Sequence, residues 1–178
     1  MADPDLTYRK ANATDIPNIV RVTLKAYHDY KAVLTPINWA RMEANLSNEN
    51  LYTELLGKAT TFVCEANRRL VGVIFLLPTG NPTPIFPADW SYIRLLGVDP
   101  DFRGLRIGRK LTELCIHHAK ATGEIGVALH TSEFMNAART MYEELGFRQA
   151  KELPPMFDKR YWLYKLSFQP IDSYNQDK

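Results

Sequence analysis

Leu95-Leu96-Gly97-Val98-Asp99-Pro100-Asp101-Phe102-Arg103-Gly104-Leu105-Arg106-Ile107-Gly108-Arg109-Lys110-Leu111 is the stretch that decides how this chain is read. Its first part closes a β-rich run from about Trp90 to Val98, which Asp99-Pro100 stops. From Ile107 the hydrophobic period changes: Ile107, Leu111, Leu114, Cys115 and His118 fall on one helical stripe, and Gly123 supplies the stop. Between strand and helix lies a loop carrying Gly104, with Gly108 just inside the helix. A loop that feeds a helix start presents unpaired N–H groups and about half a positive charge, and glycines let a large anion approach such a backbone. Arg103, Arg106, Arg109 and Lys110 add four cations within eight positions. Cations oppose the dipole at a helix N-terminus, so their gathering there fits a bound anion better than it fits a bare, solvated turn. The combination reads as a phosphate or pyrophosphate cradle, with a solvated basic turn as the plain alternative.

Familiar nucleotide and hydrolase patterns are absent. The glycines at 104 and 108 do not make Gly-x-Gly-x-x-Gly, and neither Gly-x-x-x-x-Gly-Lys-Ser/Thr nor Gly-x-Ser-x-Gly occurs in the chain.

Outward from this stretch, Leu6 to Lys10 reads as a short strand, and Asn12-Ala13-Thr14-Asp15 caps a helix whose face is Ile16, Ile19, Val20, Thr23, Leu24 and Tyr27. A second helical region is expected between Asn38 and Leu56, ending at Gly57. Thr60 to Glu65 and Leu70 to Leu77 form a hairpin about Ala66-Asn67-Arg68-Arg69. Pro78, Pro82, Pro84 and Pro87 then mark a long loop of the kind that frames binding sites. Beyond Gly123, Gly126 to Thr131 is a strand, and Ala138, Met141, Tyr142 and Leu145 mark a helix closed by Gly146. Phe147 to Glu152 and Tyr161 to Phe168 are strands around a Pro154-Pro155 turn. Interspersed strands and helices of this kind make an α/β (α+β) domain around one sheet.

The length of 178 residues suits a single domain, expected over 1–168, with a polar tail over 169–178. Hydrophobic residues are 46% and charged residues 24%, as in an ordinary globular domain. Lys+Arg number 22 against 20 Asp+Glu, a net charge of +2, which speaks against nucleic acid or a membrane surface as partner. The longest apolar run, Leu70 to Leu77, is far shorter than the roughly 20 residues of a membrane span. Met1 to Leu6 has no basic or apolar leader character, so no secretory signal is expected. Cys64 and Cys115 have no metal-binding spacing; free thiols in a reducing, cytoplasmic compartment and no metal site are the expectation. His117-His118 fits a helix surface and edge rather than a metal.

The decisive stretch resembles the acetyl-CoA-binding motif of the GNAT superfamily of N-acetyltransferases: Val-x-Pro, a spacer, then Arg/Gln-x-x-Gly-x-Gly/Ala opening a helix. Here it is Val98-Asp99-Pro100 followed by Arg103-Gly104-Leu105-Arg106-Ile107-Gly108. Downstream, Asn136-Ala137-Ala138-Arg139-Thr140-Met141-Tyr142-Glu143-Glu144-Leu145-Gly146-Phe147 resembles the family's Asn-x-x-Ala/Arg-x-x-Tyr-x-x-x-Gly-Phe. The likeness in element order covers residues 6 to 168. It implies a mixed, mostly antiparallel sheet of six or seven strands with a splayed parallel pair, flanked by about four helices.

For the site, the resemblance implies acetyl-CoA as cosubstrate. Its pantetheine arm would bond the main chain of Leu96, Gly97 and Val98, and its pyrophosphate would lie on the amides of Arg103, Gly104, Leu105, Arg106, Ile107, Gly108 and Arg109. Asn136 would contact it from the loop after the second strand of that pair, and Tyr142 would protonate the departing thiolate, although a tyrosine on an apolar stripe also suits a core. The acceptor would be a small-molecule or peptide amine, on a monomer or homodimer. Its pocket would be built from Tyr27 to Trp39, Pro154 to Tyr161 and the proline-rich loop.

Two positions depart from the pattern. Arg106 stands where the motif has glycine, and a guanidinium there would bind phosphate. Tyr92 stands where several members carry a carboxylate base, six residues before the valine. An alkylamine of pKa about 10 is roughly 0.1% neutral at pH 7, a handicap of ~4 kcal/mol, so some group must accept a proton. Asp89, Glu133, His28 and His130 are the nearest candidates. The missing carboxylate leaves a rival reading, an acyl-CoA-binding sensor or scaffold without turnover.

Overall fold

The computed structural model describes residues 4–168, so the polar tail expected over 169–178 lies outside the described residues. Seven strands form one sheet: β1 (Leu6–Lys10), β2 (Thr60–Ala66), β3 (Arg69–Leu77), β4 (Ser91–Val98), β5 (Gly126–Ser132), β6 (Arg148–Met156) and β7 (Lys159–Ser167). Their spatial order is β1-β2-β3-β4-β5-β7-β6, antiparallel throughout except between β4 and β5. Five α-helices accompany them: α1 (Ile16–Tyr27), α2 (Pro36–Leu46), α3 (Glu49–Lys58), α4 (Ile107–Ala121) and α5 (Asn136–Glu144).

Local chemistry explains most boundaries. The β2–β3 hairpin turns on Asn67 and Arg68, both at positive φ (49° and 68°), the mirror-image turn that matches strand twist. Asn12 and Asp15 complete a reciprocal capping box ahead of α1. The two strongly apolar faces of the sheet then bury separate cores. On one side Ile107, Leu111, Cys115 and Ala119 of α4 and Tyr142 of α5 pack on Ile74, Ile93 and Leu129. On the other, Ile19 and Val22 of α1 and Tyr52 and Leu55 of α3 pack on Val73, Phe75 and Tyr92.

Three expectations are corrected. The helical region between Asn38 and Leu56 is two helices, broken at Ser47-Asn48 because the Asn48 side chain accepts from the Asn50 N–H and starts α3 afresh. Gly57 does not end that second helix, which runs on to Lys58. Pro154-Pro155 is not a turn. It lies within β6, an edge strand where missing donors face no partner, and a register shift between Leu153 and Met156 absorbs it. The chain turns instead at Phe157 and Asp158, both at positive φ.

The end of β4 is anchored by Asp99, whose side chain is fully buried. Its carboxylate accepts Lys25 Nζ from α1 at 2.8 Å, Arg69 from β3 at 3.3 Å and the Asp101 N–H at 3.1 Å, while its own N–H donates to Val71 O at 2.8 Å. Burial pushes this carboxyl upward, but Lys25, the Asp101 amide and Arg69 together hold it below the usual carboxylate range. A depressed carboxyl stabilises the fold above its unfolded pKa, about 3.9, and that contribution is lost as pH falls through the native value. Asp99→Asn is therefore expected to cost about 1–3 kcal/mol at pH 7 in urea unfolding, with the gap to the parent narrowing as pH falls below about 4. A gap that persists undiminished at low pH would show that the charge is not what anchors the strand.

Candidate active site

β4 and β5 pair at only two rungs, Ser91↔Val127 and Tyr92↔Ala128. Ser91 Oγ donates to Gly126 O at 2.6 Å and pins this closed end. Beyond it the strands part. β4 carries a bulge at the same place: Val73 faces Gly97 and Phe75 faces Arg94, so Leu95 and Leu96 together oppose Ile74. Leu95 sits at φ 50°, a conformation that disfavours a branched side chain and is held here by the flanking ladder.

A cleft of about 1050 Å³ runs from the loop after β4 toward this parting. Of the residues expected to hold a cofactor, Leu96, Val98, Arg103, Gly104, Arg106, Ile107, Gly108, Arg109 and Asn136 line it; Gly97 and Leu105 do not. Gly97 faces α1 instead, where an added Cβ would touch Ala26 at 3.4 Å. The Arg103 N–H donates to Pro100 O at 3.2 Å, and the first helical bond is from Lys110 N–H to Arg106 O at 3.0 Å. Between them the N–H groups of Gly104, Leu105, Arg106, Ile107, Gly108 and Arg109 have no acceptor among the described residues. This is a row of donors opening on a cleft at the positive end of a helix, the form of an anion seat. An added Cβ at Gly108 would meet Leu96, Val98 and Met141 no closer than 3.7 Å, so a small residue fits where the cleft wall closes on the helix.

The four cations divide. Arg103 pairs with Asp29 at 2.6 Å and donates to Ala26 O at 3.1 Å, tying the loop to the end of α1. Arg109 forms an ion pair with Glu144 of α5. Arg106 and Lys110 make no ion pair among the described residues, and of these only Arg106 lines the cleft. Arg106 stands at φ 58°, ψ 19°, the left-handed region, which explains why glycine suits that motif position.

The cleft meets a smaller cavity of about 230 Å³ at Tyr27, Tyr30, Leu96, Met135 and Ala138. Tyr142 lines this inner cavity, 6% exposed, with its ring 5.7 Å from Phe147. Burial, with Tyr30 and Cys115 nearby, pushes its phenol far above the usual value, so the proton stays on. His130 lines the same space between the rings of Phe86 (5.9 Å) and Tyr161 (5.8 Å), and its buried Nδ1 has no hydrogen-bond partner. Burial and the neighbouring Arg94 charge push its pKa down to about 4, which leaves the imidazole neutral.

The other base candidates lie elsewhere. Asp89 and His28 are exposed, His28 edge-on to Trp39 at 5.7 Å, and exposed Glu133 accepts the Arg160 N–H at 3.1 Å. Tyr92 stacks on Phe86 at 4.1 Å and donates to Asn81 O at 2.9 Å, so it fastens the proline-rich loop. Arg94, which the sequence reading does not single out, borders the inner cavity; a lone cation in a mostly apolar strand is the available signal. Cys64 and Cys115 are free and buried. No helix among the described residues is long and apolar enough to cross a membrane, and no cluster of His, Cys, Asp and Glu there could hold a metal.

Comparison with known proteins agrees with this geometry. The PaiA N-acetyltransferase of Thermoplasma acidophilum, solved with coenzyme A, superposes with TM-score 0.76 over 92% of this chain and 99% of its own, at 13% identity, a likeness of fold. A probable N-acetyltransferase, camello, of Xenopus laevis is 31% identical over 133 residues, 73% of this chain and 57% of the relative. Mycothiol acetyltransferase of Thermomonospora curvata is 34% identical over 89 residues, 50% of this chain and 28% of the relative. The chain thus spans from about a quarter to little more than half the length of these curated relatives. Residues 25–147 match the Acetyltransferase (GNAT) family, and the chain belongs to it.

Proposed function

We propose that this chain is an acetyl-CoA-dependent N-acetyltransferase that passes the acetyl group directly to a primary amine while both are bound. The observation that carries this is the row of unpaired amides from Gly104 to Arg109, opening on a cleft that ends where β4 leaves β5. Bound acetyl-CoA supplies an acyl thioester, activated for attack by an amine. The amides and Arg106 would hold its pyrophosphate through charge-assisted bonds, and the free edge of β4 at Leu96, Gly97 and Val98 would accept its arm as an added strand. Asn136, on the opposite wall, would complete the grip.

Within the inner cavity Tyr142 keeps its proton and can give it to the sulfur as the thiolate departs. His130 stays neutral with Nδ1 free, and can take the proton that the amine nitrogen loses on becoming an amide. A backbone N–H near Val98 would face the carbonyl oxygen as charge develops on it. The buried thiols fit a cytoplasmic setting. The rival reading, a sensor that binds acyl-CoA without turnover, draws on the lack of any carboxylate lining the inner cavity.

Mixing the protein with acetyl-CoA and a panel of amines should release free thiol in proportion to amide formed. Tyr142→Phe is expected to lower kcat about 100-fold while acetyl-CoA affinity by calorimetry stays within about twofold. Tight cofactor binding with no amine-dependent thiol release would decide for the sensor.

Arg106 has two opposed roles that separate by substitution. Arg106→Gly and Arg106→Ala should each weaken acetyl-CoA binding about tenfold by calorimetry, from loss of a charged hydrogen bond. The glycine variant should be more stable than the alanine variant by about 1 kcal/mol in urea, because only glycine occupies φ 58° without strain. Unchanged affinity in both would remove Arg106 from the phosphate site.

A further inference from the structure

The inner cavity that holds Tyr142 and His130 is lined by one charged side chain, Arg94. Its neighbours there are mostly aromatic or aliphatic, with Asn45 and Thr131 as neutral polar residues, and no Asp or Glu lines the space. Arg94 is partly buried, makes no ion pair among the described residues, and donates no hydrogen bond there. Every other arginine within or beside the site has an acceptor except the phosphate-facing Arg106. Arg94 also borders a second cavity of about 290 Å³ under the proline-rich loop, with Glu54, Lys58 and Asn81. Its guanidinium therefore stands at the junction of two hollows.

A guanidinium that borders a cavity with no partner from the protein is open to one from a ligand, and its planar fork matches a carboxylate through two parallel hydrogen bonds. Resting on the transferase reading above, we infer that the acceptor is a primary amine bearing a free carboxylate close to its nitrogen, an α-amino acid or a conjugate of one, with Arg94 holding that carboxylate. The size of the inner cavity, about 230 Å³, keeps amine and carboxylate within a few bonds of each other. Tyr27, Tyr30, Met42, Phe157 and Tyr161 supply an apolar wall, which suits an apolar side chain. The same charge disfavours a polyamine, whose second ammonium would meet a cation and no carboxylate. Pairing also assists chemistry. A carboxylate beside an ammonium stabilises the protonated amine, and Arg94 cancels that effect.

Matched acceptors test this: L-phenylalanine, L-leucine and L-methionine, each beside its amide and its decarboxylated amine, with spermidine as the cationic control. The acids should exceed their amides and amines at least about thirtyfold in kcat/KM, mostly through KM. Arg94→Met should bring that ratio close to one, and Arg94→Lys should leave it intermediate, with acetyl-CoA affinity unchanged in both as the sign of an intact fold. Equal or better use of the amides, the amines or spermidine would overturn the assignment. Should none be acetylated although acetyl-CoA binds, the transferase reading fails. Calorimetry of the same acids and amides on the CoA-loaded protein then decides Arg94 separately: an acid preference lost in Arg94→Met sustains it, and no preference refutes it.

Discussion

The parting of β4 from β5 is the constraint on which the rest of this structure depends. A sheet that pairs fully from β1 to β4 and from β5 to β6 is joined across its middle by two rungs. Unmet backbone groups inside a protein cost about 1–3 kcal/mol each, so such an opening persists only where something else fixes both edges. Ser91 holds the closed end through Gly126, β3 and β7 hold the outer sides, and Asp99 holds the open end through α1 and β3. The bulge at Leu95–Leu96 then decides which side chains look into the gap. Val98 lines the long cleft, Arg94 and Leu95 the inner cavity, and Leu96 both, where the two meet. One irregularity thus sets apart the two spaces that the proposed function gives to cofactor and acceptor.

The loop after β4 shows the same balance in charge. Four cations at the start of a helix repel each other and the helix dipole. Two of them are neutralised by partners far away in sequence, Arg103 by Asp29 and Arg109 by Glu144, and these bonds also fix the loop against α1 and α5. Arg106 alone keeps an open charge in the cleft and adopts a backbone conformation that favours glycine. Its local rule is broken at the position where an incoming anion would compensate, as expected where function and local preference compete.

Much of this was legible in the sequence because it is local. The change of period at Ile107, the caps at Asn12 and the Asn67-Arg68 turn are properties of neighbouring residues, and each is where the pattern puts it. The splayed pair came from resemblance rather than from pattern, since nothing in β4 or β5 states how far two strands stay together. Pro154-Pro155 misled because a pair of prolines stops a central strand, and only the sheet order shows that β6 is an edge. The break at Ser47-Asn48 was missed because both flanking segments are helical and a polar pair suits a helix surface equally well. Which cations are spent on partners, and that Tyr92 faces a loop while His130 and Arg94 face a cavity, are long-range facts. They depend on register across the opened pair.

That no carboxylate lines the inner cavity fits the proposed chemistry there. Burial acts on the Tyr142 phenol and the His130 imidazole in one direction, toward the uncharged form: the first is pushed up and the second down. On the proposed reading, an amine entering the same space is pushed down as well, by desolvation, with Arg94 offsetting the charge of the carboxylate it carries. A carboxylate base would work against this, because its negative charge stabilises the ammonium that must be avoided. On that reading the remaining requirement is a weak acceptor for the proton released as the amide forms, and the neutral His130 imidazole, with its unpartnered nitrogen, would be that acceptor. The residue that replaces the family's carboxylate, Tyr92, is thereby free to serve the fold: it stacks on Phe86 and holds the proline-rich loop that roofs the second hollow.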